Sequence, residues 1–222
     1  FRSPSHDRTN TFKDNAATFL LTNVIPQHFD NNDDFWGETP DQGAWGNFED
    51  YLHNLVTGDT AKEVYVTAGG YGSNPNPQRY SHYSRPTRLT NPQILIDKGI
   101  TIPEWTWKVA LIVEPGQDVA DITVNTPAYA ILTPNGVEPN HIPTRPDGTV
   151  GNNADFASPE PHPFNVLLGS NRPNLNNKAE WRDWENWVLT IDELETLTNL
   201  DFFSHIPENI QKPLESTISS VI

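Results

Sequence analysis

Side chains whose oxygens suit a hard metal ion are concentrated between residues 22 and 51 of this chain of 222 residues. The stretch contains Asn23, Gln27 and Asn32 on an irregular segment, and Glu49 follows on the next predicted element. Amide and carboxylate oxygens favour Mg²⁺ or Ca²⁺ over zinc, and Mg²⁺ often needs only one or two protein groups because it keeps several waters. These residue types therefore allow a site for Mg²⁺ or Ca²⁺. The alternative is a solvated turn, because Asn and Asp are common turn formers.

A helix must position Glu49, and the sequence predicts one that begins near Gly43 and stops at Gly58. Its apolar residues recur at three- and four-residue spacing, which places them on one face: Trp45, Phe48, Leu52 and Leu55. Glu49 and His53 lie four residues apart and share a face at the edge of this buried side. Glu49 is therefore placed to act at a site, although an ordinary surface charge near a helix start is the alternative.

Three segments have the apolar patterns of β-strands. They are residues 63–70, the apolar run at 107–114, and residues 122–135 with a proline interruption. A continuous apolar run is typical of a strand that is buried on both faces, so residues 107–114 predict a central strand.

Residues 190–203 are predicted to be a helix that opens with a capping box, in which Thr190 and Glu193 bond to each other's backbone. Residues 207–220 can form a last short helix. The predicted strands and helices do not alternate as regular βαβ units, which predicts the α+β class. The length suits one domain, so we expect residues 1–222 to form a single domain with long loops.

The formal net charge of −15 limits the partners of the chain. Such a charge repels polyanions at long range, which argues against non-specific phosphate binding by the chain as a whole. Residues 71–92 are the local exception, because this predicted loop holds Arg79, Arg85 and Arg88. The three arginines are therefore the best candidates for contact with a phosphate backbone.

Several classes of protein are excluded by missing patterns. The chain has no Cys, which excludes a disulfide framework. No Gly-rich phosphate loop and no G-x-S-x-G elbow is present. No apolar run approaches the roughly 18 residues of a membrane-spanning helix, so we expect no membrane segment.

Four segments carry a resemblance to a known family: SPSHDRT, DNAATFLLTNVIPQHFDNN, WGNFEDY and LTIDELETLTNLDFF. Together and in this order they resemble the DNA/RNA non-specific endonuclease family, the ββα-metal nucleases, over nearly the whole chain. The resemblance implies a central, mostly antiparallel sheet flanked by helices and long loops. It also implies hydrolysis of phosphodiester bonds in DNA and RNA with little sequence preference, and a hydrated Mg²⁺ or Mn²⁺ held by one Asn.

The resemblance also implies roles for individual residues. Asn23 and Gln27 match the N-x-x-P-Q element and are expected to support catalysis. Glu49 matches the helix Glu that holds the metal through water, a role that orients the ion's waters. Asn32 matches the metal-binding Asn if the register continues from PQHFDNN. Asp41 is the alternative ligand, because it lies eight residues before Glu49, as the family's Asn does.

The chain departs from the family pattern in two places. His53 stands where the family often has an Arg that contacts substrate, and a His lacks the charged fork of an Arg. The family's Asp-Arg-Gly-His motif, which supplies the base, belongs directly before SPSHDRT, yet the chain begins with FRSP. Either Phe1 stands where the catalytic His belongs, or a short insertion places that His just upstream of Phe1. The family's N-terminal strands are also expected to be missing from this chain and to lie on a preceding segment or on a separate chain.

Two functions remain open at this point. In the first, the chain is part of an active nuclease, which its N-x-x-P-Q element, Asn32 and Glu49 favour. In the second, it has the nuclease fold without the activity and serves in binding, structure or assembly, which the net charge and His53 favour. A secreted or periplasmic location is expected because many similar nucleases are secreted.

Overall fold

The computed structural model describes residues 11–17, 24–27, 29–32, 43–58, 61–73, 97–135 and 178–222. Within these ranges the chain forms helices of very different length. They are α1 Phe12–Ala17, α2 Phe29–Asn32, α3 Ala44–Thr57, α4 Lys178–Arg182, α5 Ile191–Thr198 and α6 Glu208–Glu215. Two 3-10 helices lie at Val119–Asp121 and Trp184–Trp187. No helix of the described residues is both long and apolar enough to span a membrane.

A four-stranded antiparallel sheet forms the centre of the described structure. Its strands are β1 Glu63–Tyr71, β2 Trp105–Val113, β3 Ala128–Pro134 and β4 Val188–Leu189, and they are paired in that order. This sheet, with its surrounding helices, confirms the predicted α+β class and the mostly antiparallel sheet. The prediction of a single domain over residues 1–222 stays a prediction.

Strand β2 is the centre of the core, because every residue from Trp105 to Val113 is buried. It pairs with β1 on one side and with β3 on the other. The pairing with β1 is close at Gly69, where an added Cβ would lie 2.4 Å from the ring of Trp107. Gly69 therefore makes room for a tryptophan of the central strand.

Helix α3 has the predicted amphipathic pattern and lies within the predicted bounds. Its buried residues include Trp45, Phe48 and Leu52, which pack into the core. Phe48 and Tyr51 contact the ring of Trp184, with centroid distances of 4.8 and 4.9 Å. Because aromatic side chains carry large apolar areas, this cluster fixes α3 against the 3-10 helix that precedes β4.

Several predicted boundaries are wrong, among them the end of the last helix, which stops at Glu215, and two have a clear local cause. The strand predicted at residues 122–135 begins only at Ala128, because Thr123 and Thr126 close a turn in which the Thr126 amide donates to the Thr123 carbonyl at 3.1 Å. The helix predicted at 190–203 opens with the expected capping box but ends after Thr198. There Asn199 adopts a left-handed backbone, with φ of 54°, and stops the helix.

Candidate functional site

Glu49 lies on α3, and its carboxylate is held by two donors, Trp45 of the same helix and Lys108 of β2. Its Oε1 accepts a hydrogen bond from Trp45 Nε1 at 3.0 Å. The same oxygen forms an ion pair with Lys108 Nζ at 2.6 Å. The Glu49 side chain is 15% exposed. The alternative interpretation of Glu49, an ordinary surface charge near the start of a helix, is therefore wrong.

Lys108 stands in the middle of the buried central strand, with a side chain that is 2% exposed. Its ammonium lies 4.0 Å from the centroid of the Trp45 ring, which is a cation–π contact. A buried charge is unfavourable unless it is paired, and Glu49 supplies the pairing charge here. Lys108 was not among the site residues predicted from the sequence. A single Lys within a mainly apolar predicted strand is the pattern that points to it.

The second oxygen of the Glu49 carboxylate has a different environment from the first. No hydrogen bond joins Oε2 to any residue in the described part of the chain. Since the side chain keeps some exposure, Oε2 is open to water or to a ligand. The carboxylate thus has one clamped oxygen and one available oxygen.

Helix α2 contacts α3, and the segment that leads into α2 is tied to the sheet by amide side chains. Asn135 Nδ2 donates to the Pro26 carbonyl at 3.0 Å and to the Pro103 carbonyl at 2.8 Å. Asn31 is fully buried, and its Nδ2 donates to Thr106 Oγ1 of β2 at 2.7 Å. These bonds hold Pro26 and Asn31 against the ends of β2 and β3.

Three buried side-chain atoms of this segment lack a hydrogen-bond partner among the described residues. They are both amide atoms of Gln27 and Oδ1 of Asn31. A buried polar atom without a partner costs about 1–3 kcal/mol, so such atoms indicate a bound water or ion. The two oxygens among them, Gln27 Oε1 and Asn31 Oδ1, are hard donors that fit a hydrated Mg²⁺, whereas Gln27 Nε2 can only donate a hydrogen bond, for example to a water.

Asn32 is the last residue of α2 and is half-buried, in contrast to its fully buried neighbour Asn31. No hydrogen bond to a described residue occupies its amide group. Mg²⁺ dehydrates reluctantly and keeps several waters, so its ligand needs space beside it. Asn32 has that space, whereas Asn31 is enclosed and anchored through Thr106.

His53 lies on α3 one turn after Glu49, on the same face, as predicted. It is half-buried, and its carbonyl accepts a hydrogen bond from Thr57 Oγ1 at 2.9 Å. Its predicted contact with substrate stays a prediction. The other predicted site residues lie outside the described residues: Asn23, Asp41, Arg79, Arg85 and Arg88.

A second group of carboxylates lies away from α3, between α5 and α6. Ligand atoms of Asp192, Glu195 and Glu215 lie within 4.8 Å of one another. Burial raises the pKa of Glu215 to about 7, and burial also raises the pKa of Glu195. Glu195 already accepts the Phe202 amide at 2.7 Å, and Glu215 accepts Gln211 Nε2 at 3.0 Å. Donors of the protein already engage one oxygen of Glu195 and one oxygen of Glu215, so we place the metal at α2 and α3 instead.

Comparison with known proteins finds one family model and two relatives that are named nucleases. The family model of the DNA/RNA non-specific endonucleases matches residues 3–209. A protein named nuclease from Nostoc sp. is 32% identical over 219 residues, which are 98% of this chain and 54% of that protein. The mitochondrial nuclease EXOG of Xenopus laevis is 28% identical over 116 residues, 52% of this chain and 28% of its own length.

The matched relatives are longer than this chain, which spans about half the length of the Nostoc nuclease. The family match nevertheless extends over most of the chain, from residue 3 to residue 209. It includes α2, α3 and the whole sheet, the elements that hold Glu49, Lys108 and Asn31. The chain belongs to the DNA/RNA non-specific endonuclease family.

Proposed function

We propose that the protein is a metal-dependent endonuclease that hydrolyses phosphodiester bonds of DNA and RNA with little sequence preference. Membership of the family supports the reaction class. The observation that carries the proposal is the Glu49 carboxylate, clamped at Oε1 and open at Oε2, beside a segment whose Gln27 and Asn31 have unpartnered buried atoms. This arrangement has the donor atoms that a hydrated Mg²⁺ or Mn²⁺ needs.

Asn32 is the proposed protein ligand of the ion, because its amide is half-buried and faces no described partner. Asp41 is the alternative, and it lies outside the described residues. A metal ion bound there would supply Lewis acidity that stabilises charge on the scissile phosphate and on the leaving oxygen.

The remaining roles belong to the chain's own side chains. Glu49 accepts hydrogen bonds from water at Oε2 and thereby orients the water around the ion. Gln27 and Asn23 support the segment that carries the ligand. Arg79, Arg85 and Arg88 contact the phosphate backbone, and His53 contacts substrate from the α3 face. None of the 222 residues is assigned the role of the base.

The test is digestion of supercoiled plasmid and of a single-stranded RNA by the purified protein, in the full length that its gene encodes. We expect both substrates to be cut in Mg²⁺, cutting to stop with EDTA, and excess Mg²⁺ to restore it. Cutting that continues unchanged in EDTA would contradict the metal dependence, and uncut substrates in every sample would contradict the nuclease.

A second function, binding without cleavage, is favoured by the net charge of −15 and by His53 in place of an Arg. The same samples separate it from the first in a gel-mobility assay. A shifted but intact nucleic acid in Mg²⁺ indicates a binding protein with the nuclease fold.

A further inference from the structure

We propose that Lys108 is the positioning residue of the site: its ammonium fixes Glu49 Oε1 and so directs Oε2 toward the water of the bound ion. The proposal rests on the proposed function of Glu49. Lys108 touches neither substrate nor ion in this role. It acts through the carboxylate, from the central strand of the sheet.

The distances define a two-point clamp on one oxygen. Lys108 Nζ lies 2.6 Å from Glu49 Oε1, and Trp45 Nε1 lies 3.0 Å from the same atom. A carboxylate held by a single donor can rotate and exchange its two oxygens. With two donors on Oε1, from a strand and from a helix, rotation would break both bonds. The direction of Oε2 is therefore set by the protein.

Trp45 connects the two charged groups of the clamp. Its indole N–H donates to the carboxylate, while its ring face lies 4.0 Å from the ammonium. Trp45 is fully buried in the core, so its ring cannot move away from either partner. The clamp is thus supported by rigid packing, which is what a site needs to hold a group within a fraction of an ångström.

Stability alone does not explain a lysine at this position. A buried ion pair is often no better for stability than apolar residues of similar volume, because both charges lose their hydration. Every neighbour of Lys108 along β2 is buried, and an apolar side chain would suit this environment. The ammonium instead provides the Glu49 carboxylate with a fixed, charged partner.

The clamp itself is tested by urea unfolding of Lys108→Met, Glu49→Gln and the double variant. Each single change leaves its partner without its main bond, so we expect both to lower the unfolding midpoint. The double variant should be no less stable than the weaker single variant. Lys62→Met is the matched control, because Lys62 pairs with the exposed Glu114 and should change the midpoint little. Additive losses in the double variant would overturn the clamp.

Its consequence for the site is tested by Mn²⁺ titration, with free Mn²⁺ measured by electron paramagnetic resonance. Removing a positive charge by itself strengthens the binding of a cation. Loss of a positioning residue weakens it, by about 10-fold, as for other groups that orient a metal site. We therefore expect Lys108→Met to bind Mn²⁺ more weakly and Lys62→Met to bind it normally. Equal or tighter binding by Lys108→Met would overturn the proposal.

Two more variants connect the effect to Glu49. Lys108→Arg keeps a charged donor and should therefore retain most of the wild-type Mn²⁺ affinity. Adding Lys108→Met to Glu49→Gln should cause no further loss of Mn²⁺ affinity, because the carboxylate that Lys108 positions is already absent. In cleavage, the Lys108→Met change should lower kcat about 10-fold or more with a small change in KM. If the wild-type protein cuts neither DNA nor RNA, the proposed function fails, and the clamp is then judged on the unfolding and Mn²⁺ results.

Discussion

At the scale of single residues, the environment of Glu49 determines what its carboxylate can do. The spacing of Trp45 and Glu49 is visible in the sequence, because residues four apart share a helix face. The partnership with Lys108 joins positions 59 residues apart and depends on how α3 lies on the sheet. That contact depends on the tertiary structure. Local sequence patterns therefore predicted Glu49 as a site residue but did not predict Lys108, which holds its carboxylate.

The role of Trp45 in the clamp leads to a prediction about its side chain. Trp45→Phe keeps an aromatic ring in the core but removes the Nε1 donor to Glu49 and weakens the contact with the Lys108 ammonium. We expect a loss of about 1–3 kcal/mol of unfolding free energy together with weaker nuclease activity. Urea denaturation and plasmid cleavage measure the two effects. Trp184→Phe is the control, and equal activity in both variants would contradict the account.

Glu215 gives a prediction of pH dependence. Burial raises its pKa from 4.5 to about 7, and Glu195, Asp192 and Asp201 add to the effect. The folded protein therefore holds this proton more tightly than the unfolded chain does. The resulting stabilisation is complete below about pH 4.5 and is lost as the pH rises through about 7.

The variant Glu215→Gln removes that proton equilibrium and keeps an acceptor for Gln211. At about pH 8 we expect it to unfold at a higher temperature than the wild type, with a gain of about 1–3 kcal/mol, and at about pH 5 the gain should disappear. Glu208→Gln is the control, because Glu208 is an exposed partner of Lys212. A gain that is the same at both pH values would refute the assignment.

At the scale of elements, the centres of helices and strands were predictable and some of their ends were not. Helix α3 follows from its apolar spacing, and the start of α5 follows from Thr190 and Glu193. The start of β3 depends on a turn between Thr123 and Thr126 that competes with the extended form. Such side-chain bonds to the backbone are local but sensitive to the neighbouring sheet, which explains the misplaced boundary.

The capping box of α5 carries the prediction at this scale. Thr190 Oγ1 accepts the Glu193 amide at 3.2 Å, and Glu193 accepts the Thr190 amide at 2.8 Å. Thr190→Ala should therefore cost about 0.5–2 kcal/mol of unfolding free energy. Thr196→Ala removes a hydroxyl from the same helix without affecting the cap, so it should cost less. Chemical denaturation of the two variants compares them, and similar losses would show that the cap does not stabilise α5.

At the scale of the whole molecule, a net charge of −15 has to be reconciled with the proposed polyanionic substrate. Helix α2, which carries Asn31 and Asn32, contacts α3, which carries Glu49, and the chain belongs to a nuclease family. The amide-rich segment before α3 was predicted as a metal site because its residue types match a hard cation, and its binding of an ion stays a prediction. The three arginines between residues 71 and 92 are the local charge available for phosphate.

The joint variant Arg79→Glu, Arg85→Glu and Arg88→Glu tests that local charge. We expect weaker binding of DNA. The slope of log affinity against log salt concentration should become shallower by about one unit for each lost phosphate contact. Fluorescence anisotropy at several salt concentrations measures both quantities. Charge reversal at Lys13, Lys62 and Lys98 provides a control with the same change in net charge. Equal effects in the two variants would mean that only the total charge matters.

The central claim is that an ion held at α2 and α3 is needed for cleavage of the phosphodiester bond. The most direct measurement is the cleavage rate of an end-labelled DNA duplex in Mg²⁺ by the wild type, by Asn32→Ala and by Asp192→Asn. We expect the cleavage rate of Asn32→Ala to fall by about 100-fold or more. The rate of Asp192→Asn should stay normal, because its carboxylate belongs to the other acidic cluster. A normal rate for Asn32→Ala, with a rate that collapses in Asp192→Asn, would contradict the central claim.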